Sequence, residues 1–141
     1  MKGWVYIFTN KAMPDLIKLG HTTREPEARV KELLSTGLPH PFIVEYKALV
    51  DESHKTEQKA HKILKYCREN KDREFFRCDI ATGIEAIREA ANETINQEFI
   101  RSEEEKKKAM QMEARRKEEL AKDSFFNTLF LTAFMKSSGF S

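Results

Sequence analysis

Of 141 residues only two are cysteine, four proline, five glycine and one tryptophan. Cys67 and Cys78 form no C-x-x-C pair, and the four histidines are scattered along the chain. That argues against a structural zinc finger. The opening M-K-G-W-V-Y-I-F-T-N has one positive charge and too short an apolar run for a secretory leader. A lysine-rich chain of this kind with two thiols points to reduced cysteines and a cytoplasmic location. No stretch has the length of a membrane-spanning helix. An excess of one charge sign is also missing: the net charge is +2, with 16 basic and 16 acidic side chains in residues 1–100 and 9 and 7 in residues 101–141. A basic body that grips nucleic acid everywhere is thereby excluded, and any such contact must come from a local patch. The length allows one domain with an appendage. A hydrophobic content of 40% permits a core, and 34% charged residues keep it small.

What is present centres on W-V-Y-I-F-T-N-K-A-M-P-D-L-I-K-L-G, from Trp4 to Gly20. Trp4 to Thr9 is β-branched and aromatic, Asn10 to Asp15 has turn residues, and Leu16 to Gly20 is a second short apolar run. The stretch therefore predicts a hairpin. Tyr6 and Lys18 can share one face of it, since side chains alternate with a period of two. A helix is expected over about 25–35, with Thr23 as cap, Pro26 in the first turn and Ala28, Val30, Leu33 and Leu34 as the apolar stripe. Residues 36–41 make a loop. Phe42 to Val50 is the clearest strand, apolar enough to be central. A second helix is expected over about 54–68, capped by Asp51 or Ser53, with Glu57 and His61 four apart on one face. Asn70 to Asp72 is a turn and Arg73 to Cys78 a short strand or edge. Asp79 can cap a third helix, and helical propensity then stays high to about Lys122.

The expected class is α/β: a small central sheet of three or four strands flanked by helices. Its parts are a core at 1–80, a long helix at 81–123 that is charged in its second half, and an apolar tail at 124–141. Phe125, Phe126, Leu129, Phe130, Leu131 and Phe134 make residues 125–135 a segment for self-association or for a protein partner, and the run is too short to span a membrane.

The V-Y-I run, K-L-G, Arg29 in R-x-x-x-L, Glu57 and His61 in E-Q-K-A-H, and Glu74 in R-E-F-F recur in a fixed order over roughly residues 3–80. This set resembles the GIY-YIG nuclease superfamily, closest to its phage-type DNA-binding or nuclease subgroup, whose second motif reads K-I-G. The resemblance implies a metal-dependent DNA endonuclease. It implies Tyr6, Lys18, Arg29 and Glu57 as the catalytic set, Glu57 as ligand to Mg²⁺ or Mn²⁺, and Gly20, His61 and Glu74 in support. Trp4 stands where the family has its first glycine, with Gly3 one position earlier, and no match to its late asparagine is secure. The residue types suit the chemistry. Tyr6 or Lys18 could take a proton from water if its pKa were lowered, Arg29 offers a planar fork to phosphate, and Glu57 is a hard oxygen ligand. Lys11, Arg24, Lys55, Lys59 and Lys62 are the expected DNA contacts. Two other readings use the same residues differently: a non-catalytic DNA-binding module on this fold, and an interaction protein working through its C-terminal helix and tail.

Overall fold

The computed structural model describes residues 1–34, 39–71 and 73–137, with side chains to residue 131. The expected helix end at Ser35, loop residues 36–38, Asp72 of the turn and the Phe134 side chain lie outside the described residues. Two compact units are present, Met1–Ser102 and Glu103–Ser141.

The first unit is a five-stranded antiparallel sheet with helices on both faces. Its elements run β1 (Gly3–Thr9), β2 (Ile17–Thr22), α1 (Pro26–Leu34), β3 (Ile43–Val50), α2 (Ser53–Ile63), a 3-10 turn at Lys65–Cys67, β4 (Phe75–Phe76), α3 (Ile80–Ala91) and β5 (Ile95–Ile100). The strand order is β4-β2-β1-β3-β5. The α/β class therefore holds, with one strand more than expected. The hairpin forms with Tyr6 opposite Gly20 and Phe8 opposite Lys18. The middle position belongs to β1, and β3 lies between it and the edge strand β5.

Strand alternation separates two cores. Val5, Ile7, Ile17 and Leu19 point to one face, where Ala60 and Leu64 of the α2 segment and Ile84, Ile87 and Ala91 of α3 cover them. Tyr6 and Phe8 point to the other, with Phe42 and with Val30 and Leu33 of α1. The β1 run can be apolar on both sides because both faces are covered.

Local chemistry sets the boundaries. Pro26 opens α1, where a missing N–H costs nothing. Glu25, not Thr23, therefore stands before its first residue. Glu52 precedes α2 without a side-chain cap, and the Ser53 hydroxyl turns instead toward His21. The Asp79 carboxylate caps α3 by accepting from the Thr82 N–H at 2.8 Å.

The long helix expected over 81–123 is broken. Asn92 and Glu93 take positive φ, 45° and 70°. The chain turns there, and β5 pairs with β3 from Val50–Ile95 to Tyr46–Ile100. Glu98 of β5 accepts from the Tyr46 hydroxyl at 2.5 Å and from Arg88 at 2.7 Å, which ties α3 to the sheet edge.

The described part of the second unit belongs to α4 (Arg101–Ser137), a helix that continues into the apolar tail instead of ending near Lys122. Phe125, Phe126, Leu129, Phe130 and Leu131 are exposed on it. Among the described residues no helix is long and apolar enough to cross a membrane.

The turn at Asn92 sets where α3 stops. Asn92→Val should lower unfolding free energy by about 1–2 kcal/mol, because a β-branched side chain resists the left-handed region, whereas Asn92→Gly should be near neutral. Urea denaturation of the three proteins measures the difference.

Candidate functional site

The site forms where the sheet stops. β4 is two residues long and pairs with β2 only at Ile17–Phe76 and Lys18–Phe75. Beyond Lys18 the outer edge of β2 has no strand partner, so its backbone must be satisfied otherwise. The Leu19 N–H donates to the Glu74 carbonyl at 3.0 Å. The Leu19 carbonyl lies 2.8 Å from His61 Nε2, and since a carbonyl only accepts, that nitrogen carries the proton. One strand residue thus anchors both the approach to β4 and the C-terminal half of α2.

Gly20 makes the notch between the two faces. A Cβ there would lie 2.4 Å from the Tyr6 hydroxyl and 2.8 Å from Glu74 Oε2, so only glycine fits. On the α1 side of the notch, Tyr6 is 1% exposed and its ring stacks on Phe8 with centroids 3.9 Å apart. Its hydroxyl is hydrogen-bonded to Arg29. Lys18 Nζ is 3.7 Å from Glu74 Oε2 and 5.0 Å from the centre of the Phe75 ring. Arg29 is half-buried and also donates to Glu32 at 3.2 Å.

On the α2 side, Glu57 is 6% exposed. Its Oε1 is 3.7 Å from His61 Nε2 and its Oε2 is 3.3 Å from His21 Nε2. Oε2 makes no hydrogen bond, an uncommon state for a buried carboxylate oxygen. His54, exposed in the first turn of α2, puts Nδ1 3.2 Å from the same His21 Nε2. Among the described residues, His21, His54 and Glu57 bring one donor atom each to within 4.8 Å of the others.

The electrostatics separate roles that the residue types left open. Burial, with the Glu74 carboxylate adding to it, pushes Tyr6 up to about 12 despite the Arg29 hydrogen bond. Tyr6 is therefore held protonated in the metal-free protein. Burial lowers Lys18 against the pull of Glu74, the direction that acceptance of a proton requires. Burial and the Glu74 charge raise Glu57 to about 7, opposed by a hydrogen bond from the His21 backbone. Burial also lowers His21 and His61, so their contacts with Glu57 are polar contacts rather than full ion pairs. Glu74 acts on both sides of the notch.

The expected DNA contacts are dispersed. Lys11 is exposed in the β1–β2 loop, and Lys55 and Lys59 are exposed on α2. Arg24 is ion-paired with Glu32. Only Lys62 of the five lines the open cleft beside Glu57, a space of about 1050 Å³. Lys65, Arg68 and Lys71 line it too, and Arg68 is fixed over the Phe76 ring, 5.7 Å from its centre. These three, with His21 and His54, were missed by sequence reasoning. The histidines are 33 residues apart and show no ligand spacing, whereas the K-x-x-K-x-x-R run from Lys62 to Arg68 was a signal that could have been used.

The model of the T5orf172 domain matches residues 3–93, from the start of β1 to the turn after α3. The chain belongs to the T5orf172 domain family. Membership is consistent with a DNA-binding or nuclease-like role. No curated protein and no solved structure matches the chain significantly. All the side chains described around the notch lie inside the T5orf172 domain, whereas β5 and α4 follow it.

Glu57 makes stability depend on pH in a defined direction. Its folded pKa of about 7 lies above the ordinary 4.5, so the folded state holds the proton more tightly. The stabilising effect is complete below pH 4.5 and is lost as pH rises through 7. In metal-free buffer Glu57→Gln should thus be more stable than the parent by up to about 3 kcal/mol at pH 8, with the gap closing toward pH 4.5. Paired urea titrations at the two pH values measure it.

Proposed function

We propose that the T5orf172 domain of this chain is a metal-dependent DNA endonuclease of the GIY-YIG type that hydrolyses phosphodiester bonds. The observation that carries the reading is the buried Glu57 carboxylate with an unpartnered oxygen, held beside a notch where Tyr6, Lys18, Arg29 and Glu74 meet. An oxygen of that kind fits a divalent cation such as Mg²⁺ or Mn²⁺. When bound, such an ion supplies positive charge for the phosphate and the leaving oxygen.

The chain's own residues divide the remaining work. Tyr6 holds the Arg29 guanidinium through their hydrogen bond, and hydrogen bonds to Glu32 and Tyr6 keep that guanidinium charged although burial opposes it. Arg29 can then present donors to two oxygens of one phosphate. Lys18, with its affinity for protons reduced by burial, is placed to accept one from an attacking water. Glu74 holds Lys18 in position, and His61 fixes the edge of β2 from which the notch is built. Lys62, Lys65 and Lys71 provide exposed cations for the DNA backbone along the cleft.

Supercoiled plasmid incubated with the protein in Mg²⁺ or Mn²⁺ should be nicked, and Arg29→Ala should slow nicking by about 10²–10³-fold, the usual loss when one charge-stabilising donor is removed. DNA binding without nicking under either metal would make the chain a non-catalytic DNA-binding module instead.

A second activity has its own observation. Five large apolar side chains between Phe125 and Leu131 stand 54–67% exposed on α4. We propose that this segment self-associates with a second copy of the chain, since burying one such side chain is worth about 1.5–3 kcal/mol. Truncation after Lys122 should then shift the sedimentation coefficient to that of a monomer, and identical sedimentation of the two proteins would remove the proposal.

A further inference from the structure

We propose that His21, His54 and Glu57 form a site for a divalent first-row transition ion of the zinc type, with an open coordination position toward the cleft. The inference rests on the reading of Glu57 as a metal ligand and goes beyond it in the ligand set and in the class of ion.

Two of the three donor separations match those around a bound ion, and all three donor atoms lie within 4.8 Å of one another. Ligand atoms about 2.0–2.2 Å from a tetrahedral metal are separated by about 3.3 Å. His21 Nε2 lies 3.3 Å from Glu57 Oε2 and 3.2 Å from His54 Nδ1. Glu57 Oε2 is buried and makes no hydrogen bond, so the cluster has a donor atom aimed into it that the protein leaves unused. A cation entering there would satisfy that oxygen and replace the His21–His54 contact. His61 is not part of the set through Nε2, since that nitrogen is committed to the Leu19 carbonyl.

The surroundings orient the ligands. His54 and Glu57 are three apart on α2 and share a face. The Ser53 hydroxyl, 1% exposed, lies 3.5 Å from His21 Nδ1. It can keep the proton on that nitrogen and leave Nε2 its lone pair, the usual task of a group behind a ligating histidine. Gly3 provides the room: a Cβ there would lie 2.6 Å from Ser53 Oγ. Three protein ligands with one of them exposed leave a fourth position for water or a phosphate oxygen.

The donor set also decides the kind of ion. Mg²⁺ favours oxygen ligands and keeps several waters. Two imidazoles with one carboxylate suit zinc, cobalt or nickel, and such sites bind these ions in the Irving–Williams order.

The test needs no DNA. The untagged full-length chain is titrated with CoCl₂, followed by visible absorption, and with ZnCl₂ and MgCl₂, followed by calorimetry. We expect one Co²⁺ per chain with ligand-field bands, and Zn²⁺ binding far tighter than Mg²⁺. His54→Asn, at an exposed position where melting temperature checks the fold, should weaken Co²⁺ and Zn²⁺ roughly tenfold or more. His21→Asn should do the same. Equal affinities for Zn²⁺ and Mg²⁺, or parent-like Co²⁺ binding in both histidine variants, would overturn the site. A protein that binds Co²⁺ as expected but leaves DNA intact upholds the site while removing the nuclease reading.

Discussion

The open edge of β2 governs the rest of the structure. Pairing with β4 ends at Lys18, and the next residue, Leu19, must still satisfy an N–H and a carbonyl. The Glu74 backbone takes the first and His61 the second. Those two contacts hold α2 and the segment before β4 against the strand end. Because they do, Glu57, one turn before His61, is buried, and the Glu74 side chain is delivered to Gly20. If β4 were longer it would fill that edge with a strand and leave no notch. A sheet that stops early thereby leaves a notch where side chains from both faces meet.

The same constraint explains why charges at the notch behave differently from the surface charges of α4. The ion pairs along α4 are between exposed residues and are worth little. At the notch, Tyr6, Lys18 and Glu57 are largely withdrawn from water, and each shifts toward its neutral form. Glu74 remains more exposed and acts on its neighbours as a charge. The family resemblance left the proton acceptor open between Tyr6 and Lys18. Burial acts on them in opposite directions, raising the Tyr6 phenol and lowering the Lys18 ammonium.

β5 shows where a periodic pattern misleads. Ile84, Ile87, Ala91 and Ile95 recur at helical steps, and the residues after them are good helix formers. Helical spacing cannot distinguish a helix that continues from one that turns at Asn92. I-N-Q-E-F-I is polar in its middle because it is an edge strand, with Gln97 and Glu98 exposed and Glu98 engaged by Tyr46 and Arg88. Its strand state depends on those partners and on pairing with β3. The signal that was present, an asparagine ahead of a β-branched pair, is weak beside a long run of helix-forming residues.

By itself the sequence determined the hairpin from Trp4 to Gly20, the strand ending at Val50, Pro26 in the first turn of α1, the Asp79 cap of α3, and the grouping of Tyr6 with Lys18. These follow from alternation, helical spacing and turn chemistry, which act between residues close in the chain. The T5orf172 match to residues 3–93 covers the stretch that holds Tyr6, Arg29, Glu57 and Glu74. Tertiary structure decided that β1 lies in the middle, that β5 exists, that Tyr6 and Lys18 are both withdrawn from water, and that His21 meets His54 and Glu57. Each depends on groups far apart in the chain: 33 residues separate the two histidines, and 42 separate His61 from Leu19. Burial and distance are properties of the folded chain, and no spacing along the sequence encodes them.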